Sequence, residues 1–366
     1  MKNLFTPNFG QIPYYLAGRV DVIEDITRAL DNTPGDPNQT TILIGARGTG
    51  KTALLRTISN IADQRGWISV NTACLSGLLE DIIQQTTRKG ASFLEKKEGV
   101  RFKSINVASV FGVEWEYTSG SQPNWRSRMT DILEALAEHD LGLLITIDEI
   151  DPTLDEMIQL ASVYQLLAGD GRKIALLMAG LPHQVSTLLG NKSVSFLRRS
   201  AQCHLERISD ADVETAFRAT VDASGKEIDG SALREAVTAI NGFPYMLQLV
   251  GYRSCQATGQ SSEIANDAVA RGTLLAAQDM RTRVLKATLD ELSNADLAFL
   301  QAMLEQSGAS SSSQIAHVLG KGSAHVSTYR RRLLEQGVIV ETGRNRFDFA
   351  LPMLRSYLPE YLESYL

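Results

Sequence analysis

The sequence of 366 residues contains little cysteine. Its three cysteines, Cys74, Cys203 and Cys255, are widely spaced and odd in number. They form neither a metal-ligand cluster nor the disulfide framework of a small secreted domain. A reducing compartment is therefore the expected setting, and we predict a cytoplasmic protein.

Long hydrophobic runs are also missing. No apolar stretch approaches the ~18 residues that a membrane-spanning helix requires. The first fifteen residues, MKNLFTPNFGQIPYY, lack the continuous apolar segment of a secretory signal. We therefore expect no membrane partner.

Positive charge is in deficit, since 36 Lys and Arg face 42 Asp and Glu and leave a net charge of −6. This balance argues against a protein that coats nucleic acid through its overall charge, although a local basic patch remains open. Hydrophobic residues make up 43% of the chain, as in an ordinary soluble protein, and the length predicts two or three domains.

A glycine-rich segment carries the clearest chemistry. The apolar, β-branched run TTILI (Thr40–Ile44) predicts a buried strand. The pattern G-x-x-x-x-G-K-T follows it directly, and ALLRTISNIA then has helical spacing. This strand–loop–helix context is typical of a loop that binds nucleotide phosphates. The residues expected to line the site are Gly45, Arg47, Gly48, Thr49, Gly50, Lys51, Thr52 and Ala53.

Each residue type in this loop has a physical role. The glycines let the backbone turn tightly and bring its N–H groups close to phosphate oxygens. The N-terminus of the following helix adds unpaired donors and a favourable dipole. Lys51 is expected to reach the β- and γ-phosphates as a catalytic cation, and Thr52 to ligand Mg²⁺.

A second segment, LGLLITIDEID, supplies two carboxylates after an apolar strand pattern. Ligands bind at the carboxyl ends of strands in open α/β sheets. We expect Asp148 to hold Mg²⁺ and Glu149 to activate the attacking water as a general base. Asp151 is interpreted as the cap of a helix that begins near Thr153.

The base of the nucleotide can be predicted from a missing motif. Proteins that read guanine commonly carry Asn-Lys-x-Asp, and the nearest match here is NKSV (Asn191–Val194), where valine replaces the aspartate. The Asp-Glu pair after the strand also favours ATP hydrolysis. We therefore predict ATP and Mg²⁺ as the cofactors.

At this point the chain resembles AAA+/STAND-type P-loop ATPases, the group that includes archaeal-type ATPases and origin-recognition initiators. YYLAGRVDVIEDITRAL (Tyr14–Leu30) is similar to the N-terminal box of that group, and Gly-x-Pro in INGFPYMLQLVGYRS is similar to its lid motif. The resemblance implies that Gly18 and Arg19 lie against the adenine and that Pro244 packs near the nucleotide. Initiators carry a sensor arginine at about the position that Tyr245 occupies here. This chain has no arginine at that position, which moves it toward the STAND members of the group.

The resemblance also implies two further roles. The segment after the strand pattern in KIALLMAGLPH is often a polar sensor of the γ-phosphate, a place that His183 occupies here. SFLRRSAQCHLERI is similar to the segment that holds an arginine finger, so Arg198 or Arg199 would reach the ATP of a neighbouring subunit. Hydrolysis would then require an ATP-dependent homo-oligomer.

An inserted segment separates the predicted helix Leu75–Arg88 from the strand that ends at Asp148. Alternating apolar residues between positions 105 and 117 predict a β-hairpin insertion over about 95–122. Such a hairpin could contact a protein partner or DNA, or pack as a flap on the edge of the sheet. The sequence leaves this choice open.

The last part of the chain, from about residue 290, predicts three helices followed by two strands around TGRN. Helices are expected from a cap at Ser293, over Ser312–Leu319 and over Ser323–Gln336. This order is that of a winged helix-turn-helix, a module that places its third helix in the major groove of DNA.

Six basic residues against two acidic ones lie between Lys321 and Arg346, in a chain that is acidic overall. They fall on the third helix and the wing, the parts that contact bases and phosphates. The residues expected to contact duplex DNA are His325, Ser327, Thr328, Arg331, Arg332, Arg344 and Arg346. STAND-like ATPases also use winged helices to pack on the ATPase core, so an internal or protein-binding role stays open.

Together these patterns predict an α/β chain in three parts: a P-loop parallel-sheet core (1–208), an α-helical lid (209–287) and a winged helix-turn-helix (288–366). The predicted function is that of an ATPase that acts as an ATP-controlled switch or assembly factor on DNA. The alternative is a STAND-type signalling ATPase whose winged helix binds no DNA and holds the core shut.

Overall fold

The computed structural model describes residues 2–8, 10–32, 35–98 and 124–365. Most of the predicted insertion, residues 99–122, lies outside the described residues. Within them, every helix is too short or too polar to cross a bilayer.

A five-stranded parallel sheet forms the centre of the N-terminal half. Its three central strands read as near-continuous apolar runs because both faces of the sheet are covered there. Ile42 and Ile44 face one buried cluster, while Leu43 between them faces another, which also contains Trp67. The strands are β1 (Thr40–Ile44), β2 (Trp67–Ala73), β3 (Gly142–Asp148), β4 (Ile174–Gly180) and β5 (Ala201–His204).

The strand order is β2-β3-β4-β1-β5, which places the strand before the glycine-rich loop between β4 and β5. Ile44 is paired with Gly180 on one side and with His204 on the other. Because all the strands are parallel, the loops after β1 and β3 emerge at the same edge of the sheet.

Helices cover the two faces of this sheet. The helix after β1 begins at Lys51, which continues the glycine-rich loop directly, and its buried residues include Leu54 and Ile58. The helices of this half are α1 (Val20–Asp31), α2 (Lys51–Asp63), α3 (Leu78–Glu98), α4 (Trp125–Ala137), α5 (Asp155–Gly169) and α6 (Pro182–Gly190), followed by a 3₁₀ segment (Lys192–Arg199).

Two predictions for this half are wrong. Helix α3 does not end at Arg88 but continues to Glu98, because buried Ala91 extends the apolar face that also holds Ile83. Residues 95–98 are therefore helical and do not belong to a hairpin. Asp151 does not cap a helix at Thr153; its Oδ1 accepts a hydrogen bond of 2.9 Å from the Thr153 N–H and closes a turn ahead of α5.

A group of helices follows, as the sequence predicts for a lid. Ser209 caps the first of them, since its hydroxyl accepts a hydrogen bond of 3.1 Å from the Asp212 N–H. The elements are α7 (Asp210–Ala223), α8 (Gly230–Ile240), α9 (Pro244–Thr258), α10 (Asn266–Met280), a π-turn (Arg281–Leu285) and α11 (Lys286–Asp290). The parallel pair β6 (Glu227–Ile228) and β7 (Glu263–Ile264) was not predicted.

The C-terminal elements include the three helices and the two strands that the sequence predicts. Ser293 caps the first helix, and Gly320 and Gly337 end the next two with φ of +60° and +68°. The elements are α12 (Asn294–Leu304), β8 (Ser310–Ser311), α13 (Ser312–Leu319), α14 (Ser323–Glu335), β9 (Ile339–Gly343), β10 (Arg346–Phe349) and α15 (Leu354–Tyr365). Strand β10 lies between β8 and β9 in an antiparallel sheet.

The lid helices and the C-terminal elements share one hydrophobic core. Phe217 and Leu249 of the lid and Phe299 and Leu333 of the C-terminal part are all fully buried members of a single cluster. The C-terminal elements are thus packed on the rest of the chain.

Candidate nucleotide-binding site

A cavity of about 420 Å³ opens where the loops after β1 and β3 meet the lid. This volume lies in the range of small-molecule sites, ~300–1,000 Å³. Its walls come from the glycine-rich loop, residues 6–8 and 10–19, Asp148 and Glu149, the start of α9 and the π-turn with α11. The cavity therefore joins stretches that lie far apart in the sequence.

The glycines of the loop are required by its shape. Gly48 and Gly50 have φ of +80° and +90°, a region that side-chain-bearing residues rarely adopt. A Cβ atom on Gly48 would lie 2.7 Å from the Phe243 ring, and one on Gly45 would lie 2.6 Å from Thr49 Oγ1. The loop is therefore closed down on itself and on the lid.

Lys51 sits in the centre of this loop. Its Nζ donates to the carbonyl oxygens of Gly45 (2.7 Å) and Ala46 (2.8 Å). Burial lowers the pKa of Lys51 to about 8, although the carboxylates of Asp148 and Glu149 act against this shift. An ammonium group held in a buried loop with only carbonyl partners is well placed to receive an anion.

Thr52 and Asp148 meet across the sheet edge. The Thr52 hydroxyl donates to Asp148 Oδ2 at 2.6 Å. Thr52 follows β1 and Asp148 ends β3, and β4 lies between these two strands. A hydroxyl and a carboxylate beside a phosphate loop are the oxygen donors that Mg²⁺ takes together with nucleotide phosphates. The residues at this point therefore fit the predicted metal.

Glu149 lies next to Asp148 in a restricted backbone conformation. Its φ is +56°, which is uncommon for a residue with a side chain. Its N–H donates to Asp148 Oδ1 at 3.2 Å, and the following Ile150 N–H is fixed to the Ala179 carbonyl at 2.9 Å. The exposed carboxylate lines the cavity, as a group that activates water requires.

The N-terminal segment forms a wall that the sequence motifs indicate only in part. Gly18 has φ +60°, and a Cβ there would lie 2.7 Å from the Ile208 side chain. The Arg19 Nη2 donates to the Glu206 carbonyl at 2.8 Å, and burial lowers the pKa of this guanidinium. Arg19 lines the cavity whereas Gly18 does not, and ahead of them Thr6, Asn8, Gln11 and Tyr15 line it as well.

Residues 3–6 fasten this segment to the lid. Phe5 is buried against Gly251 of α9, where any Cβ would lie 2.3 Å from the ring, and its centroid is 5.0 Å from that of Phe217. The Thr6 N–H donates to Gln248 Oε1 at 2.9 Å. The segment therefore bridges the lid and the core over one side of the cavity.

The Gly-x-Pro motif places the start of α9 against the glycine-rich loop at residues 45–52, called the phosphate loop below. Pro244 is the first residue of the helix and lines the cavity. The Tyr245 N–H donates to the Gly48 carbonyl at 3.2 Å. The lid helix thus contacts the loop directly through its backbone.

The wall formed by Arg283, Val284 and Ala287 was missed by sequence reasoning. These residues lie in the π-turn and α11, which follow no nucleotide-binding motif. One helical turn beyond Ala287, Glu291 accepts a hydrogen bond of 2.9 Å from Arg47 of the phosphate loop. The helical spacing of 283, 287 and 291 could have indicated a shared face, but not what that face contacts.

His183 is not part of the cavity wall. It follows β4 at the start of α6, and its Nδ1 lies 3.1 Å from the carbonyl oxygen of Glu335. A Cβ on Gly337 would lie 3.3 Å from that of Ala46 in the phosphate loop. The end of α14 therefore rests on the core beside the loop, and His183 serves this contact.

Arg198 and Arg199 lie at the end of the 3₁₀ segment, just before β5. Both are exposed, and neither lines the cavity of its own chain. Arg198 Nε donates to the Leu189 carbonyl at 2.8 Å.

The predicted DNA contacts divide into two groups. Ser327, Thr328, Arg331, Arg344 and Arg346 are exposed on α14 and the wing, and His325 is half-buried against Tyr329 with ring centroids 4.7 Å apart. Arg332 differs, because its Nη2 lies 3.2 Å from Asp296, a residue with no exposed surface. The Arg332 side chain therefore holds α14 to α12.

Solved structures have a fold similar to that of this protein over nearly the whole chain. The Walker-type ATPase PABY2304 of Pyrococcus abyssi is similar with a TM-score of 0.68 and 16% identity, covering 94% of this chain and 96% of that one. The ORC2 protein of Aeropyrum pernix, solved in ADPNP and ADP complexes, is similar with a TM-score of 0.62 and 15% identity, covering 98% and 97%. The predicted fold class, α/β with a parallel sheet, is confirmed.

Sequence comparison is less informative. No curated protein matches the chain. A family described as a domain of unknown function (DUF8462) matches residues 282–358. This segment begins inside the π-turn and includes most of the winged-helix elements.

Proposed function

We propose that the protein is an ATPase that acts as an ATP-controlled switch or assembly factor on DNA. The observation that supports hydrolysis most directly is the grouping of Lys51, the Thr52–Asp148 pair and Glu149 around one cavity. Lys51 and the loop N–H groups would hold the phosphates, and Mg²⁺ would bind between Thr52, Asp148 and the phosphates. Bound Mg²⁺ would neutralise charge that develops on the transferred phosphoryl group.

The residues of the chain would perform the other steps. Glu149 would accept a proton from the attacking water, and the conformation of its backbone directs the carboxylate into the cavity. Residues 10–19 and the start of α9 would exclude bulk water from the nucleotide. Gly18 and Arg19 would approach the adenine, and Pro244 would pack near the nucleotide.

The Glu149→Gln variant tests the hydrolytic mechanism. We expect ATP binding to persist while turnover falls by roughly 10²- to 10⁴-fold, the usual contribution of a general base. Lys51→Ala should weaken both. Asp151→Asn, in the same loop but bonded to Thr153, is the matched control and should leave turnover unchanged. Full turnover in Glu149→Gln would remove this residue from the mechanism.

The DNA role is supported by the exposed basic residues of the winged helix. Arg331 and Arg344 are exposed, whereas the end of α14 contacts the core through the Glu335 carbonyl, so packing and DNA binding would use different groups of the same helix and wing. Duplex DNA is therefore the proposed partner, and Arg331, Arg344 and Arg346 its main ligands.

Titration with duplex DNA across a salt series tests this proposal. Removal of one side chain that binds a phosphate should reduce the slope of log affinity against log salt by about one. Arg331→Ala combined with Arg344→Ala should therefore flatten the slope by about two. Undetectable binding at low salt with ATP present would reject the DNA role.

A second candidate is a signalling ATPase whose winged helix regulates the core without DNA. It is supported by the contact of Gly337 with Ala46 and of His183 with the Glu335 carbonyl, which places the winged helix against the phosphate loop. Replacement of His183 by Ala should then raise basal turnover in the absence of DNA. Unchanged turnover in that variant, together with salt-dependent DNA binding, would favour the first candidate.

A further inference from the structure

One wall of the cavity comes from the helix that joins the lid to the winged helix. Arg283, Val284 and Ala287 line the cavity there, and Glu291 further along the helix binds Arg47 of the phosphate loop. Residues four apart share one face of a helix. A single face of this joining helix therefore runs along the cavity and ends on the phosphate loop.

The joining helix is irregular where it meets the cavity. The π-turn Arg281–Leu285 interrupts an otherwise helical run between α10 and α11. Such turns are rare and occur frequently at functional sites. The two arginines of the turn lie in different places. Arg281 Nη1 donates to Glu360 of α15 at 3.0 Å, whereas Arg283 lines the cavity.

The guanidinium of Arg283 is loosely held in its present position. It lies 3.4 Å from Asp279 Oδ1, while Arg253 approaches Oδ2 of the same carboxylate at 2.7 Å. The Arg283 side chain remains 43% exposed. Asp279 is mostly buried, but Arg253 is its closer partner and would still neutralise it if Arg283 moved.

The other cations of the cavity are more firmly engaged. Arg47 binds Glu291, Arg19 donates to the Glu206 carbonyl, and Lys51 belongs to the phosphate loop. Among the lining residues contributed by positions 209–291, Arg283 is the only cation. The lid side of the cavity therefore offers one guanidinium to an anionic ligand.

We propose that Arg283 binds a phosphate group of the nucleotide from the lid side. This inference rests on the proposed function and assigns a further ligand to the same site. Arginine suits the role, because its planar fork of donors matches phosphate oxygens. It also gives the segment of unknown function, residues 282–358, a part in nucleotide binding that its winged helix alone does not suggest.

The proposal makes the charge at position 283 the quantity that determines affinity. Hydrogen bonds between charged groups correspond to roughly 10- to 100-fold in binding. We expect ATP affinity to fall in the order wild type, Arg283→Lys, Arg283→Ala, Arg283→Glu, with the Ala variant about tenfold or more weaker. The nucleotide-free melting temperatures of the wild type and of the Lys and Ala variants should stay together, because Arg253 remains the closer partner of Asp279.

Arg281→Ala is the matched control, since it removes the same side chain from the same turn but outside the cavity. It should bind ATP like the wild type. Equal ATP affinity in the Lys, Ala and Glu variants at position 283 would overturn the proposal, as would losses that follow the nucleotide-free melting temperature. Absence of ATP binding by the wild type itself would instead reject the proposed function.

Discussion

At the scale of the residue, Lys51 shows how the folded chain prepares a side chain for its ligand. The glycine-rich loop buries its ammonium group and gives it carbonyl oxygens as partners. Burial is the main reason that its pKa falls to about 8. A bound phosphate would supply the charge that the loop lacks, so binding and protonation of Lys51 should be linked.

This linkage predicts a pH dependence of ATP binding. The charged form of Lys51 binds the anion, and above pH 8 a growing fraction of the unliganded protein carries the neutral amine. ATP affinity should therefore be level below about pH 7.5 and weaken toward tenfold per pH unit above pH 8. Calorimetry in two buffers of different ionisation enthalpy should show proton uptake on binding near pH 8.

Lys51→Arg provides the control for this pH profile, because a guanidinium stays charged throughout the range. Its affinity, whatever its absolute value, should be level between pH 7 and 9.5. A wild-type profile that is equally level would contradict a depressed pKa for Lys51.

The residues of the phosphate site differ in how far sequence could predict them. The glycine-rich loop and the Asp148–Glu149 pair could be found because their geometry is local: a strand, a tight turn and the next helix lie in one short segment. Asn8 and Arg283 could not, since they reach the cavity only through contacts between distant segments. Arg332 was assigned to phosphate because its charge was visible, whereas its buried partner Asp296 was not.

At the scale of the element, α14 has two ends with different tasks. Its last turn contacts the core through the Glu335 carbonyl and Gly337, and its outer face carries Thr328 and Arg331 into solvent. Between them, Arg332 fixes the helix to α12 by pairing with Asp296, whose carboxylate also accepts from the Ser293 N–H at 2.9 Å. One side of α14 is thus packed on the core and on α12, and the other side is exposed to solvent.

Removal of Arg332 should therefore reduce stability. Arg332→Ala would leave the buried Asp296 carboxylate without its cation, at a cost of about 1–3 kcal/mol, tempered because the arginine itself is partly exposed. We expect a melting temperature lower by a few degrees, on the order found for such changes in domains of this size.

Arg331→Ala is the comparison for this effect. The Arg331 side chain is 76% exposed and lies 3.8 Å from Glu335, so its removal should not change the melting temperature. Replacing Asp296 by Asn in the Arg332→Ala background should recover part of the loss, because the amide needs no counter-ion. Similar melting temperatures for the two arginine variants would contradict the role assigned to Arg332.

The elements themselves were predictable where the hydrophobic period was long. Strands β1 and β3 and helix α14 were found close to their observed bounds, since burial on both faces or on one stripe leaves a clear pattern. The two-residue strands β6 and β7 are too short to carry any period, and the π-turn reads as ordinary helix in sequence. The extension of α3 was missed because Ala91, a small residue, continues its buried face.

At the scale of the whole molecule, the cavity is formed by parts of the chain that span most of its length. The N-terminal segment is fastened to α9 by Phe5, α9 to the phosphate loop by Tyr245, and the joining helix to the same loop by Glu291. The lid helices and the C-terminal elements also share one hydrophobic cluster. The exposed Arg198 and Arg199 would complete the site from a second copy.

Complementation between two inactive variants tests that second copy. Arg199→Ala retains Glu149, and Glu149→Gln retains Arg199, so a mixed oligomer contains complete sites at their interface. If Arg199 acts in trans, each variant alone should be inactive with ATP, whereas an equimolar mixture should recover a measurable fraction of wild-type turnover. Lys192→Ala, in the same exposed segment, should keep full activity when it is assayed without a second variant.

The mixture also separates the possible failures. Turnover that stays at the sum of the two separate variants would place the arginine outside the mechanism or confine it to its own subunit. Wild-type activity in Arg199→Ala alone would show that this side chain is not needed.

The seating of Gly337 on Ala46 joins the phosphate loop to the helix that would read DNA. If occupancy of the loop changes the affinity of α14 for a duplex by some factor, the duplex must change the affinity for nucleotide by that same factor, because the four states form a closed thermodynamic cycle. Measuring how nucleotide changes the affinity for the duplex therefore also gives the change that the duplex makes in the affinity for nucleotide. The helix is 13 residues long, or about 20 Å, so the two ligands would communicate across a single rigid rod.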